Sequence, residues 1–480
     1  MSSAYDLVVV GGGPGGSTLA TLVAKEGGRV LIVERDRLPR YQIGESLLPS
    51  TVHGICDLLG VRDEVMNAGF MRKRGACMRW GASKEPWLFD FGSSPALRAV
   101  GADYAFQVER SKFDDILLRN ATRKGAELWE EHTVAGVIEE GDRVAGVKVM
   151  RPDGSAVEVR ARFVADASGN TSKLASLVGK REHSKFFRNV ALFSYWENGG
   201  RLPEPSSGNI LCAAFADGWF WYIPLTPTLT SVGAVIANEH ADRLKGDQDA
   251  VFRSFVERCP LIADLLRPAK RVTEGVYGQY RVRKDWSYTT SRFFRPGLFL
   301  VGDAACFIDP VLSTGVHLAT YSGLLGARSV NTVLRGSSGV AEDAAFREME
   351  ARYRAEYNNF YDFLVAFYDM HHDESSYFWR ARKVLATEER DNEAFVRLVG
   401  GGANLAEFFG ARADVGRVLE EHTKGQVLDT AGFARDVKDR MGVPGSSVAD
   451  IIASQGGGGR PARPQTGLVA SSDGLYWQPA

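Results

Sequence analysis

The stretch YDLVVVGGGPGGSTLATLVAKEGGRVLIVER, residues 5–35, allows few folds. A short apolar run meets a glycine turn, then a helix-length segment, then a second apolar run that ends in Glu34. A βαβ unit with parallel strands uses all of these parts. Gly11, Gly13 and Gly16 stand in the spacing GxGxxG. Gly11 permits the turn, Gly13 lets the backbone approach a pyrophosphate, and Gly16 lets helix and strand pack closely. The helix start, from Pro14 to Ser17, offers free N–H groups to phosphate. Glu34 lies 21 residues after Gly13 and is placed to accept from a ribose hydroxyl, with Arg35 beside it. The unit predicts a dinucleotide site in an α/β fold.

Bulk properties narrow the class. A chain of 480 residues is too long for one small core, and two or three domains are expected. A formal net charge of −1 lacks the basic excess of a nucleic-acid binder, so no nucleic-acid partner is expected. The five cysteines are scattered and form no CxxC pair, which argues against a disulfide framework or a metal centre and for a reducing cytoplasm. The first apolar run, Leu7 to Val10, is too short for a signal core or a membrane span, so no membrane partner is expected.

Two later elements favour FAD over NAD. DASG, Asp166–Gly169, follows one strand-like run, and GDAA, Gly302–Ala305, follows another. With the glycine turn they resemble the FAD domain of the flavoprotein monooxygenase superfamily. The resemblance implies an α/β fold of the glutathione reductase and p-hydroxybenzoate hydroxylase type. Its FAD-binding, Rossmann-like domain lies within 1–340, from segments of about 1–80, 105–180 and 285–340. An interleaved antiparallel β-sheet substrate domain is expected at about 81–104 and 181–284. A helical region follows at 341–454, and the Gly- and Pro-rich run near 455–480 reads as a flexible tail. No second GxGxxG is present, so no nicotinamide domain is expected.

Four further pieces resemble the flavin-dependent halogenases, over Tyr5 to about residue 400. IGESLLP (Ile43–Pro49) is similar to the strap over the flavin in that family. FMRKRG (Phe70–Gly75) fits the family's lysine box with Lys73. GWFWYIP (Gly218–Pro224) fits its WxWxIP box. DPVLSTG (Asp309–Gly315) resembles the loop over the flavin ring. The resemblance implies FAD as FADH2, chloride and O2, with reduced flavin from a separate reductase. The cofactor contacts it implies are Gly11, Gly13, Pro14, Gly16, Ser17, Glu34, Arg35, Ile43, Gly44, Glu45, Ser46, Arg110, Asp166, Gly302, Asp303, Pro310, Gly315 and Val316. Chloride is expected at Ser313, Thr314 and Gly315, where N–H groups at a helix start attract anions. In that family a flavin hydroperoxide attacked by chloride gives HOCl, and the resemblance implies that Lys73 passes the halogen to substrate.

The residues can also be read directly. Strand alternation puts Lys73 on a face with Gly75 and Cys77, away from Arg72 and Arg74. An amine beside small, weakly polar groups is partly desolvated and more often neutral, as a nucleophile must be. Alternation also places Trp219, Trp221 and Ile223 opposite Phe220 and Tyr222. Such a strand is ordinary core by itself; beside a flavin, the two indoles read as a barrier between oxidant formation and substrate. Leu312 stands where free-tryptophan halogenases carry glutamate. The better resemblance is to enzymes of phenols and pyrroles, often tethered to a carrier protein. Phe360, Tyr361, Phe363, Phe367, Phe378 and Trp379 are expected near the small aromatic substrate. His371 and His372 diverge on a helix and suggest no metal site. A flavin hydroxylase and a non-catalytic carrier-binding flavoprotein are the alternatives.

Overall fold

The computed structural model describes residues 4–80, 85–216, 218–284, 287–336, 339–369, 391–409 and 467–480. Strand β1 (Tyr5–Val10), helix α1 (Pro14–Lys25) and strand β2 (Val30–Val33) make the predicted parallel unit. From Leu7 to Val9, and through β2, each side chain is almost fully buried. A strand covered on both faces needs such a continuous apolar run. After β3 (Met71–Lys73), β4 (Gly75–Arg79) and helix α2 (Arg110–Arg123), the long strand β5 (Ala156–Asp166) returns beside β1 in parallel.

The second layer is built from β6 (Asn189–Glu197), β7 (Ile210–Phe215), β8 (Gly218–Pro224) and β9 (Leu229–Ala237). They lie in the order β6–β9–β8–β7, and β4 adds to β7 in parallel register. The chain then re-enters the first sheet with β10 (Leu298–Leu300) beside β5. A long helix, α3 (Thr314–Arg335), packs on α1, and α4 (Glu342–Asp369) packs on α3. Helix α5 (Asp391–Val399) follows. β5, β1, β2 and β10 all end near one edge of the parallel sheet, where such sheets bind ligands.

Three features differ from the expectations above. Residues 75–79, expected with the FAD domain, belong to the second sheet through their pairing with β7. The segment 467–480, expected within a flexible tail, forms a hairpin of β11 (Leu468–Ala470) and β12 (Trp477–Pro479). Trp477 is fully buried there and donates through Nε1 to Ser329 Oγ on α3. One large aromatic so buried contributes roughly 3 kcal/mol toward docking this segment. The Lys73 strand also breaks sooner than a uniform alternation assumes: β3 pairs with Ala105–Gln107, and β4 pairs elsewhere.

Candidate active site

The glycine turn is dictated by contacts between backbones. Gly11 has φ +104°, and a Cβ there would lie 2.6 Å from Ala167 O. A Cβ on Gly16 would lie 2.0 Å from Gly11 O. Gly13 is different: its Cβ would meet only Arg40 Nη2, at 3.7 Å. Space is kept open there, as a cradle for a bound group requires. Glu34 is buried and accepts from Gly12 N at 2.6 Å and from Asp36 N at 2.9 Å. Ser17 Oγ donates to Gly12 O. Arg35 is not drawn in; its side chain is 61 % exposed and pairs with Asp36. Arg40 stands by the turn instead, bound to Asp114 at 2.9 Å. Sequence reading missed Arg40 because its distance from the turn is set by tertiary folding.

The strap crosses this edge. Arg110 donates to Ile43 O at 2.6 Å and forms a two-point pair with Asp114. Gly44, with φ +104°, comes within Cβ reach of Arg110 Nη1 and Val316. Glu45 is buried and accepts from Tyr195 Oη at 2.7 Å, and Tyr195 in turn meets Tyr41 Oη at 2.8 Å. Burial pushes the Glu45 carboxyl up to about 7. Ser46 is buried beside it, and its Oγ has no partner.

Asp166 ends β5 and accepts from Ser168 N, Ser168 Oγ and Ser172 Oγ. Asp303 follows Gly302, whose φ is +62°. Burial pushes the Asp303 carboxyl up to about 6, with Arg110, Arg283 and Arg181 opposing.

Asp309 opens the DPVLSTG loop and is held by Val311 N, Tyr368 Oη and Asn189. Pro310 O accepts from Ser313 N at 3.0 Å. Ser313 adopts φ +61° and makes no side-chain cap, so α3 begins with uncapped N–H groups at Thr314 and Gly315. Thr314 Oγ1 is buried without a partner. An open glycine cradle, two helix starts without side-chain caps, and orphan hydroxyls at Ser46 and Thr314 fit a large polyanionic cofactor spanning α1 to α3.

Lys73 is 2 % exposed. Its Nζ donates to Leu47 O of the strap at 2.9 Å and lies 5.4 Å from the Phe91 ring centroid. Burial pulls its pKa down to about 7, with the Cys212 thiol opposing. The expected Cys77 neighbour is wrong. Asn209 Oδ1 accepts from both Arg74 N and Gly75 N, which ends β3 and starts β4 in a different sheet. Cys77 then turns into the opposite core, with Leu211, Phe220 and Tyr222. Cys212, on β7, takes its place beside Lys73 and reaches Val311 O of the loop at 3.8 Å.

Trp219, Trp221 and Ile223 face the Lys73 side, and Phe220 and Tyr222 face the other core. Gly233 makes room for Trp221, since a Cβ there would lie 2.3 Å from Cζ2 of the indole. Beyond Trp219 is a cavity of about 480 Å³, lined by Trp80, Phe215, Trp219 and Tyr368, with Arg79 and Arg258 among its walls. Four of the side chains expected near the substrate are described. Phe360 is fully buried against His317, Tyr361 meets Ser184 Oγ at 3.0 Å, and Phe363 and Phe367 are buried in the core. Phe367 touches Trp80 at the edge of the cavity, with ring centroids 4.8 Å apart. Phe378, Trp379, His371 and His372 lie outside the described residues.

The chain matches the family model described as tryptophan halogenase over residues 6–101 and 93–413. A protein named tryptophan 2-halogenase from Chondromyces crocatus is 35% identical over 452 residues, covering 91% of this chain and 83% of that one. A 1H-pyrrole-2-carbonyl-[peptidyl-carrier protein] chlorinase from Pseudomonas fluorescens is 29% identical, covering 76% of this chain and 83% of that one. Among solved structures, the myxobacterial chondrochloren halogenase CndH is 50% identical, with a TM-score of 0.77 over 99% of this chain and 100% of that one. Residues 6–413 thus carry one family's pattern on one family's fold, and the protein belongs to the flavin-dependent halogenases, enzymes that use FADH2, halide and O2.

Proposed function

We propose that this halogenase chlorinates an electron-rich ring, a phenol or a pyrrole, carried on an acyl or peptidyl carrier protein. Reduced flavin, supplied by a separate reductase, would with O2 convert chloride to hypochlorous acid. Gly13 and the α1 start would hold the pyrophosphate, Glu34 a ribose hydroxyl, and Asp303 the chain leading to the ring. Thr314 N and Gly315 N would hold chloride. Neutral Lys73 Nζ takes chlorine from hypochlorous acid, forming N–Cl and releasing water. A ring carbon then takes the chlorine as its π electrons attack. The N–Cl pair returns to nitrogen, and the ring gives up its proton.

The observation that carries this reading is the solvent-free amine. Lys73 is buried beside Cys212, and burial lowers its pKa to about 7. Leu312, which stands where free-tryptophan halogenases carry glutamate, is itself buried. Leucine rather than glutamate at position 312 suits rings that need little help in losing a proton. The cavity at Trp80, Trp219 and Tyr368 would admit such a ring, and Trp219 with Trp221 would keep it from the flavin. The relative named for a pyrrole on a carrier protein supports this choice, while the one named tryptophan 2-halogenase makes tryptophan the rival substrate to test.

The test incubates enzyme, flavin reductase and chloride with free and carrier-tethered phenols and pyrroles, read by mass spectrometry. Exchange of hydrogen for chlorine on tethered rings is expected. Chlorination of free tryptophan alone, or oxygenation of a ring without halide, would overturn the reading.

A further inference from the structure

A second polar system, fully buried, begins at Ser50, three residues after the Leu47 that holds Lys73. Ser50 Oγ meets His317 Nδ1 at 2.9 Å, and His317 Nε2 meets Glu356 Oε1 at 2.8 Å. All three side chains are 0% exposed. Glu356 Oε2 accepts from Asn404 Nδ2, which fills the carboxylate's second oxygen. The order of serine, imidazole and carboxylate is that of a hydrolytic triad. It cannot serve as one here. A Cβ on Gly401 would lie 2.1 Å from Ser50 Oγ, so the hydroxyl is sealed by backbone and no acyl group can reach it.

The chain joins four remote segments. Ser50 follows the strap by one residue, and its N–H bonds Gly400 O at 3.2 Å. His317 sits in the first turn of α3, three residues beyond Thr314. Glu356 belongs to α4. Asn404 and Gly401 come from the segment after α5, which also lays Phe408 on His317, 5.4 Å between rings. The strap is therefore gripped at two points three residues apart. Leu47 O holds the Lys73 amine, and Ser50 Oγ is held by His317. In the neutral tautomer that keeps Nε2–H toward the carboxylate, Nδ1 accepts and the serine donates.

We propose that Glu356, His317 and Ser50 are positioning residues that fix the strap carbonyl holding Lys73 and the first turn of α3 in one frame. Their role is to keep the place where halide is oxidised and the amine that receives halogen in register. The cost of leaving a buried carboxylate or imidazole unpaired explains why such a chain holds one arrangement rather than several. This inference rests on the Lys73 reading above.

The experiment measures, for His317→Gln and Glu356→Gln, halogenated product per reduced flavin consumed, and oxidant captured in bulk by taurine. Lys73→Ala and Trp477→Ala are run beside them. Trp477 docks at Ser329, twelve residues further along α3 than His317, and serves as a control for loss of stability. The expected result is near-normal flavin binding and oxidation, a product yield per flavin lowered roughly ten- to hundredfold, and the missing oxidant recovered by taurine. Trp477→Ala should lower the melting temperature without changing that yield. Unchanged yield in both His317→Gln and Glu356→Gln, or a yield that falls equally in Trp477→Ala, would overturn the proposal while leaving the lysine reading intact. Full yield in Lys73→Ala would overturn both.

Discussion

The glycine cradle and the lysine chamber are held in shape by different means. In the cradle, the critical distances are between main-chain atoms. A methyl group on Gly16 would strike Gly11 O at 2.0 Å, so sequence-local geometry fixes the turn. In the chamber, Lys73 is held by a strap carbonyl 26 residues away and lies near a thiol on β7. Its environment is made by long-range packing, and its chemistry by the water that packing excludes. The first kind of site tolerates no change of backbone. The second depends on the low polarity that packing creates around the amine.

That contrast can be broken most directly at Gly16. Gly16→Ala should abolish flavin binding, read by bound absorbance after purification, because two backbones must separate to admit the methyl group. Retained flavin would show the cradle to be more plastic than its contacts suggest.

The chamber has its own signature in pH. Burial lowers Lys73 to about 7, so the amine is charged below that value and neutral above it. Product formation should fall about tenfold per pH unit below 7 and level off above it, provided flavin oxidation is followed separately. Stability follows with a fixed sign. The unfolded lysine titrates near ~10.4 and binds more protons than the native one between the two values, so its burial costs most below 7 and the cost lifts as pH rises. Lys73→Met should therefore raise the melting temperature at pH 6 by roughly 5 °C or more, with the gain vanishing near pH 10. No gain at pH 6 would place the lysine in a more polar setting.

A smaller effect sharpens the comparison from the cradle side. Gly13→Ala should weaken FAD binding about tenfold, yet alter apoprotein stability by less than about 1 kcal/mol, since only Arg40 Nη2 lies within reach of the new methyl. Calorimetry with added FAD separates the two. The smallest change concerns the indoles. Trp219→Ala with Trp221→Ala should leave flavin binding unaltered and admit a minor oxygenated product. Intact chlorination with no oxygenated product would deny them a separating role.

The two regions also differed in how far residues alone revealed them. The βαβ unit, its glycines and Glu34 were legible because spacing and backbone sterics are local. The alternation of Trp219 and Trp221 was legible because a period of two survives any tertiary setting. The neighbour of Lys73 was not. Asn209, distant in sequence, captures two N–H groups and turns the chain out of register, so Cys212 replaces Cys77. Nor was the docked hairpin legible, since Trp477 finds its seat on α3 only when the helix exists. The Ser50–His317–Glu356 chain joins residues from three elements, and no spacing announces it.

The separation of oxidant formation from halogen transfer is tested most directly in Lys73→Ala loaded with reduced flavin, mixed with O2, chloride and a carrier-bound phenol. Flavin reoxidation should proceed at the wild-type rate, the ring should stay unchlorinated, and the oxidant should appear in bulk solution. Chlorinated ring at the wild-type yield would contradict the account.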